Sequence, residues 1–256
     1  MALEKNRGRR IEPGELAVVV GAGRSGLAAA RLLRRAGARV RLLDSNLKAL
    51  AGREVLAAEL AALGIDVQLG EHSAAQFAGA AFVVPSPGMP VARLAGLVDT
   101  QVSEILAEME LAWRYLDDEP VLAITGTSGK TTTASLAAAM LHEQGYAVFL
   151  GGNIGTPLSE YVLGGKKADV LVLEISSFQL QACTTFCPRA GILLNITPNH
   201  LDYHKDMAEY TEAKFRLFRC QSEEDLAVFG EELRSEVAQH NIKARKVFVQ
   251  ATDRFA

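Results

Sequence analysis

The sequence predicts an α/β chain of two parallel-sheet domains, and three observations carry that prediction. Short apolar runs of strand length alternate with Ala- and Leu-rich helical stretches along nearly all of the 256 residues. The apolar run Leu16 to Val20 leads into a G-x-G-x-x-G turn, Gly21-Ala-Gly23-Arg-Ser-Gly26. A second apolar run, Val121 to Ile124, leads into Thr125-Gly-Thr-Ser-Gly-Lys-Thr-Thr-Thr133. The first turn marks a Rossmann-like domain over residues 1–118. The second marks a P-loop-type ATP-binding domain over residues 119–256, and the acidic Asp117-Asp-Glu-Pro120 is the boundary.

The first ten residues are basic (Lys5, Arg7, Arg9, Arg10), but the apolar run after them is five residues closed by glycines. That reads as a strand and not as the apolar core of a signal peptide. A helix is expected to about Ala36, and a strand from Arg39 to Leu43 ends in Asp44. Glycines there allow close backbone approach to a pyrophosphate, and Asp44 is placed to contact a ribose or base. NAD or FAD would satisfy this unit, and a UDP-linked ligand satisfies the same chemistry. Next come a helix near Leu47 to Leu63, a strand Asp66 to Leu69, a short helix around Ser73 to Phe77 and a strand Ala81 to Val84. Pro85-Ser-Pro-Gly88 closes that strand at its carboxyl end, where open α/β sheets bind ligands. A helix from Ser103 to about Leu116 completes the first domain.

The second domain opens with the strand Val121 to Ile124, its glycine turn, and a helix from Lys130 to about His142. A strand Ala147 to Leu150 precedes Gly151-Gly-Asn-Ile-Gly155. A strand Asp169 to Ile175 carries Glu174, and a strand Ala190 to Asn195 leads into a polar loop ending at His204. A helix from about Met207 to Arg219 contains Lys214, and strands follow at Leu226 to Phe229 and Lys246 to Gln250. Polar residues gather just after the strands, the expected place for a site.

The totals bound the partners. A formal charge of −3 gives no reason to expect nucleic acid or an anionic membrane. No stretch approaches the ~20 apolar residues that cross a bilayer. Three cysteines, Cys183, Cys187 and Cys220, form an odd, sparse set that suits a reducing cytoplasm. Cys183 and Cys187 at one-turn spacing suggest a metal pair, but small core residues explain them better. A cytoplasmic monomer is the expectation.

The turn Gly126, Thr127, Ser128 and Gly129, with Lys130, Thr131 and Thr132 after it, has the make-up of a phosphate cradle. Backbone N–H groups and the helix N-terminus face the anion, the lysine reaches the terminal phosphates, and the threonine hydroxyl suits Mg²⁺. The loop is shorter than G-x-x-x-x-G-K-[ST], because Ile124 stands where the first glycine would be. Glu174, His200 and Thr131 make a plausible hard-cation set once phosphate adds oxygens. Taken singly, Glu174 could be a solvated carboxylate, a loop histidine such as His200 is more often structural or solvent-exposed than a ligand, and Lys214 amid charged residues would usually be a surface lysine; spacing does not settle these assignments.

The phrases Thr125–Thr133, Gly151-Gly-Asn-Ile-Gly155, Glu174-Ile-Ser-Ser-Phe-Gln-Leu180 and Asn195-Ile-Thr-Pro-Asn-His-Leu-Asp202 occur in this order. Together they resemble the Mur ligases of peptidoglycan synthesis, over Val18 to Arg219, and the Glu174 phrase is similar to the branch that adds D-glutamate. The resemblance implies an ATP-dependent amide ligase acting on UDP-N-acetylmuramoyl-L-alanine through an acyl phosphate. It implies that Lys130 binds the β- and γ-phosphates, that Thr131 and Glu174 hold a first Mg²⁺, and that His200 holds a second. It implies that Lys214 is the family lysine carbamylated by CO₂, and that Asn153, Ser176 and Gln179 meet substrate or metal-bound groups. Arg24, Ser25, Asp44, Ser45 and Ser86 would face the uridine-diphosphate end.

This sequence also departs from the family pattern. Ser128 stands where the family usually has Asn, Asn199 where Asp is common, and Tyr203 where Arg is common. The family's third, C-terminal domain closes over ATP and supplies most D-glutamate contacts, and the chain stops at Ala256 before it. The expectation is a polypeptide that binds the UDP-sugar but turns over poorly or not at all. A folylpolyglutamate-type ligase, a non-catalytic binding module and a dehydrogenase are the rival readings. The N-terminal glycine fingerprint argues against the first of these, and the phosphate loop against the last.

Overall fold

The computed structural model describes residues 7–200 and 203–250. Lys5 and the last two residues of the fourth phrase, Leu201 and Asp202, lie outside them. In the first sheet, β1 (Leu16–Val20) is followed by α1 (Arg24–Arg35), β2 (Arg39–Asp44), α2 (Glu54–Ala62), β3 (Asp66–Leu69), β4 (Ala80–Pro85) and β5 (Glu104–Ile105). The strands pair in parallel in the order β3-β2-β1-β4-β5, so the strand order reverses beside β1. Val18, Val20, Leu43 and Val83 form one buried face, and Ala17, Val19, Leu42 and Phe82 the other. Burial on both faces is why these strands read as unbroken apolar runs instead of alternating ones.

The helix α3 (Glu108–Trp113) joins this sheet to the next. The second sheet holds β6 (Val121–Thr125), β7 (Val148–Gly152), β8 (Val170–Glu174), β9 (Ala190–Leu193), β10 (Leu226–Gly230) and β11 (Arg245–Val249). Its order is β11-β10-β9-β6-β8-β7, again parallel, with β6 at the centre. Its helices are α4 (Lys130–Glu143), α5 (Leu158–Gly164), α6 (Ser177–Gln181), α7 (Met207–Phe215) and α8 (Arg234–Val237).

Three expected elements differ. The Leu47 to Leu63 helix begins only at Glu54, because Asn46 accepts from the Lys48 amide and Gly52 (φ 70) turns the chain before it. The Ser103 to Leu116 helix gives way at its start to β5, which pairs with Phe82 and Val83; the Ser103 hydroxyl donates to the Ala80 carbonyl at 2.7 Å and fixes that edge. Sheet pairing has overridden local helix preference there. The helix expected to Arg219 ends at Phe215 and tightens into a 3₁₀ turn over Arg216–Phe218. The short α5, α6 and α8 were not anticipated from the pattern. None of the three cysteines forms a disulfide among the described residues: Cys183 and Cys187 are buried, and Cys220 is exposed. The Cys183 thiol donates to the Gln179 carbonyl and burial pushes its pKa well up, which is the behaviour of a core residue.

All six residues of α3 are buried, and its packing makes one continuous apolar core out of parts of both sheets. The Glu110 carboxylate accepts from the Thr185 and Phe186 amides at 3.0 and 2.9 Å and from the Thr185 hydroxyl at 2.6 Å. Arg114, 1% exposed, pairs with it at 3.3 Å and with Glu104. A buried charge satisfied this fully is destabilising to remove, because its partners stay behind unpaired. Glu110→Ala is therefore expected to lose about 3–5 kcal/mol of stability, read as a lowered urea midpoint.

Candidate active site

The glycine turn after β6 depends on its backbone. Gly126 has φ 155, and a Cβ there would lie 3.0 Å from the Leu194 side chain; Gly129, at φ 80, is the N-cap of α4. These are conformations that L side chains resist. The turn is clamped by Asn195, just past the end of β9, whose Oδ1 accepts from the Thr127 and Ser128 amides at 3.1 and 2.9 Å and whose Nδ2 donates to the Ser128 carbonyl. Gly129 offers no side-chain cap, so the first N–H groups of α4 stay open to an anion. Lys130 Nζ folds over the turn and donates to the Gly126 and Thr127 carbonyls, both at 3.0 Å. Thr131 and Thr132 lie exposed on the first turn of α4.

Glu174 sits at the end of β8, 2% exposed. Its Oε2 accepts from Thr131 Oγ1 at 2.6 Å and its Oε1 from Asn153 Nδ2 at 2.8 Å. Asn153 is delivered there by Gly151 and Gly152. A Cβ on Gly152 (φ 99) would fall 2.4 Å from the Glu174 carbonyl oxygen, so only glycine lets β7 pass so close. The Asn153 amide then donates to that same carbonyl at 2.8 Å.

Lys214 is 1% exposed, donates to the Gly126 carbonyl at 2.9 Å and lies 4.5 Å over the Tyr210 ring. Burial first, and the charge of Lys130 second, push its pKa down to about 7. It is far from an ordinary surface lysine. His200 adopts a left-handed backbone (φ 56), its amide donating to Asn199 Oδ1 at 2.8 Å. Its exposed ring meets Phe178 edge-on at 4.8 Å and lies 6.2 Å from the Tyr210 ring. The structure thus brings Thr131, Asn153 and Glu174 into direct contact and joins Lys130 and Lys214 at one carbonyl. His200 reaches that group through Tyr210, whose hydroxyl is 3.0 Å from Thr127 Oγ1. Ser176 and Gln179 bond to each other as the capping box of α6.

In the first sheet, Gly21 (φ 105) carries Ser86 against its open side, where a Cβ would fall 2.3 Å from the Ser86 oxygen. Asp44 accepts from the Ala22 amide at 2.7 Å and the Asn46 amide at 2.8 Å, which ties the glycine loop to the end of β2. Arg24 and Ser25 open α1, and Ser45 is exposed beside Asp44. Arg24 also lines an open cleft of 440 Å³ with Arg31 and Arg53. Asn195 and Tyr210 carry structural duties at the site that spacing did not single out. A signal existed for Asn195, a polar residue closing an apolar run beside the central strand.

Two parallel α/β units with ligand loops at the carboxyl ends of the strands and a glycine–lysine–threonine turn define a nucleotide-binding class of protein. The Mur ligase middle domain matches residues 124–253, and the Mur ligase MurD-like N-terminal domain matches residues 15–103. The chain belongs to the Mur ligase family. It is 80% identical over 256 residues to a UDP-N-acetylmuramoylalanine–D-glutamate ligase of Desulfovibrio desulfuricans, covering all of this chain and 59% of that protein. The protein of the same description from Nitratidesulfovibrio vulgaris is 62% identical over 258 residues, with the same coverage. The chain thus spans about 59% of the length of these curated relatives. Among solved structures, a UDP-N-acetylmuramate:L-alanyl-γ-D-glutamyl-meso-diaminopimelate ligase from Neisseria meningitides superposes with TM-score 0.56 at 21% identity, covering 91% of this chain and 78% of that one. At that identity the likeness is one of fold.

Lys214 generates a pH prediction. Its folded pKa of about 7 lies below the ordinary 10.5. Between those values the unfolded chain holds the proton and the folded chain does not, so this residue makes stability rise with pH across the window. Below about pH 7 both states are protonated and the cost of the buried charge is present in full. Lys214→Met should flatten the rise, measured as urea midpoints near pH 7 and near pH 10.

Proposed function

We propose that the chain supplies the UDP-substrate and ATP sites of a D-glutamate-adding ligase. In this reading, residues 1–118 bind UDP-N-acetylmuramoyl-L-alanine and residues 119–256 bind ATP. The observation that carries it is the Thr131–Glu174–Asn153 contact at the mouth of the glycine turn, with Lys130 and the open N-terminus of α4 beside it. The relatives from Desulfovibrio and Nitratidesulfovibrio support the choice of D-glutamate as the incoming amino acid.

A carboxylate is a poor acyl donor until it is phosphorylated. The L-alanyl carboxylate attacks the γ-phosphate of ATP, ADP leaves, and an acyl phosphate forms. The D-glutamate amine then attacks the acyl carbon, its nitrogen gives up a proton to water, phosphate departs with the carbon–oxygen bond electrons, and an amide bond remains. Lys130 binds the β- and γ-phosphates, and the amides of Thr127, Ser128 and Gly129 cradle them, with Gly126 giving the turn its shape and Thr132 beside it. Arg24, Ser25, Asp44, Ser45 and Ser86 face the uridine-diphosphate end, and Asn153, Ser176 and Gln179 face the reacting end.

Thr131 and Glu174 present hard oxygens 2.6 Å apart, a donor set that fits Mg²⁺. His200 and Lys214 fit a second ion only once Lys214 becomes anionic, and its lowered pKa supports that change. The neutral amine adds to CO₂, a carbon–nitrogen bond forms, one C=O electron pair moves to oxygen, and a proton leaves to water. The ions would neutralise the phosphate charge. The reading further holds that the protein works in the cytoplasm as a monomer on small molecules, without nucleic acid or membrane. Among the described residues no helix is long and apolar enough to cross a membrane.

Calorimetric titration of the chain should show binding of UDP-N-acetylmuramoyl-L-alanine and none of NAD; the reverse result would sink the assignment. For Lys214, ¹³C-bicarbonate added to a CO₂-depleted sample should produce a carbamate resonance that is missing in Lys214→Met. Its absence from the unaltered, Mg²⁺- and nucleotide-loaded chain would remove the carbamate.

A further inference from the structure

Tyr203 is placed where neither site needs it directly. Its amide donates to the carbonyl of His200, the residue with the left-handed backbone, at 3.1 Å. Its ring lies against Phe178 at 3.8 Å between centroids, and Phe178 belongs to α6, which starts just after Glu174. Its hydroxyl crosses to the first sheet and donates to the Met89 carbonyl at 3.1 Å, 114 positions away in sequence. The Met89 amide in turn donates to the Ser86 carbonyl at 2.9 Å, and the Ser86 amide to the Val20 carbonyl at 2.8 Å. The Ser86 hydroxyl rests on the Gly21 carbonyl at 3.4 Å.

One residue therefore touches three things: His200 through its backbone amide, the helix that follows Glu174 through its ring, and the loop that sits on the first glycine turn through its hydroxyl. Met89, Ser86, Phe178 and Tyr203 also line a common small crevice between the two sheets.

We propose that Tyr203 is a positioning residue that couples the glycine-loop site of the first sheet to His200 of the second, so that occupancy by the UDP-linked substrate alters affinity for the nucleotide. The inference rests on the ligand assignment of the preceding subsection. Movement of the Ser86–Met89 loop onto a ligand displaces the carbonyl that Tyr203 holds, and the amide of the same residue is fixed to His200. Coupling of this kind is reciprocal, so the factor by which one ligand changes the affinity of the other must be equal in both directions. A residue that merely filled the crevice would alter stability and leave that factor alone.

The test is calorimetry on the full 256-residue chain, unaltered and as Tyr203→Phe, which keeps the ring on Phe178 and removes only the hydroxyl. UDP-N-acetylmuramoyl-L-alanine and Mg-ADP are each titrated alone and in the presence of the other. The unaltered chain should show a coupling of roughly fivefold or more in both directions. In Tyr203→Phe each ligand alone should bind within about twofold of the unaltered value, and the coupling should fall toward one. Should that variant fold poorly, Phe178→Leu, which removes the ring beneath Tyr203, carries the same expectation. Equal coupling in the unaltered and variant chains, or none in the unaltered chain, overturns this inference while leaving the ligand assignment in place. Failure of the unaltered chain to bind the UDP-linked substrate overturns both.

Discussion

Two lysine ammonium groups converge on one carbonyl oxygen, that of Gly126, at 3.0 and 2.9 Å. Lys214 is buried there, and the nearest charge that acts on it is another cation. Like charges so placed repel strongly wherever water is excluded. The carbonyl dipole offsets part of that cost and the lowered pKa of Lys214 offsets more. What the arrangement lacks is negative charge. A triphosphate at the turn would supply it. The electrostatic imbalance of the protein by itself is thus the best physical reason to read the turn as an anion site.

That imbalance is tolerable only because the backbone around it is over-determined. The Gly126 carbonyl accepts both lysines, and Asn195, just past the neighbouring strand, pins the following amides. Glu174 is held through both oxygens, one by Thr131 and one by Asn153. Gly152 is the condition for the second of these contacts, since any side chain would strike the Glu174 backbone. The rigid helix α3 then fixes the second sheet against the first by apolar packing and by the Glu110–Arg114 network.

Much of this was legible in the sequence because it rests on local chemistry. The runs at Leu16 to Val20 and Val121 to Ile124 fall on the central strands of their sheets. Glycines placed after strands were visible as cradles because their conformational role is intrinsic to the residue. Pairing was not visible: β5 is two residues long and exists because Ser103 and the edge of β4 hold it, which no window of propensity reports. Lys214 shows the same boundary. Amid Glu212 and Arg216 its sequence surroundings look solvated, yet the fold turns it inward to Gly126.

The departures from the family pattern take on meaning in the same terms. Ser128 contributes its backbone amide to Asn195, so the cradle does not depend on the side chain at that position. Asn199 replaces a common aspartate and uses its carbonyl oxygen to accept the His200 amide, a bond that an amide makes without placing a second negative charge beside the loop. Tyr203 replaces a common arginine and turns a long cation into a planar ring with one donor, packed against Phe178 and bonded across to Met89. A guanidinium there would bring a further positive charge toward a site that already holds Lys130 and Lys214. At Asn199 and Tyr203 a neutral group thus does the work of contact where a charged one is common, while Ser128 exchanges one neutral side chain for another.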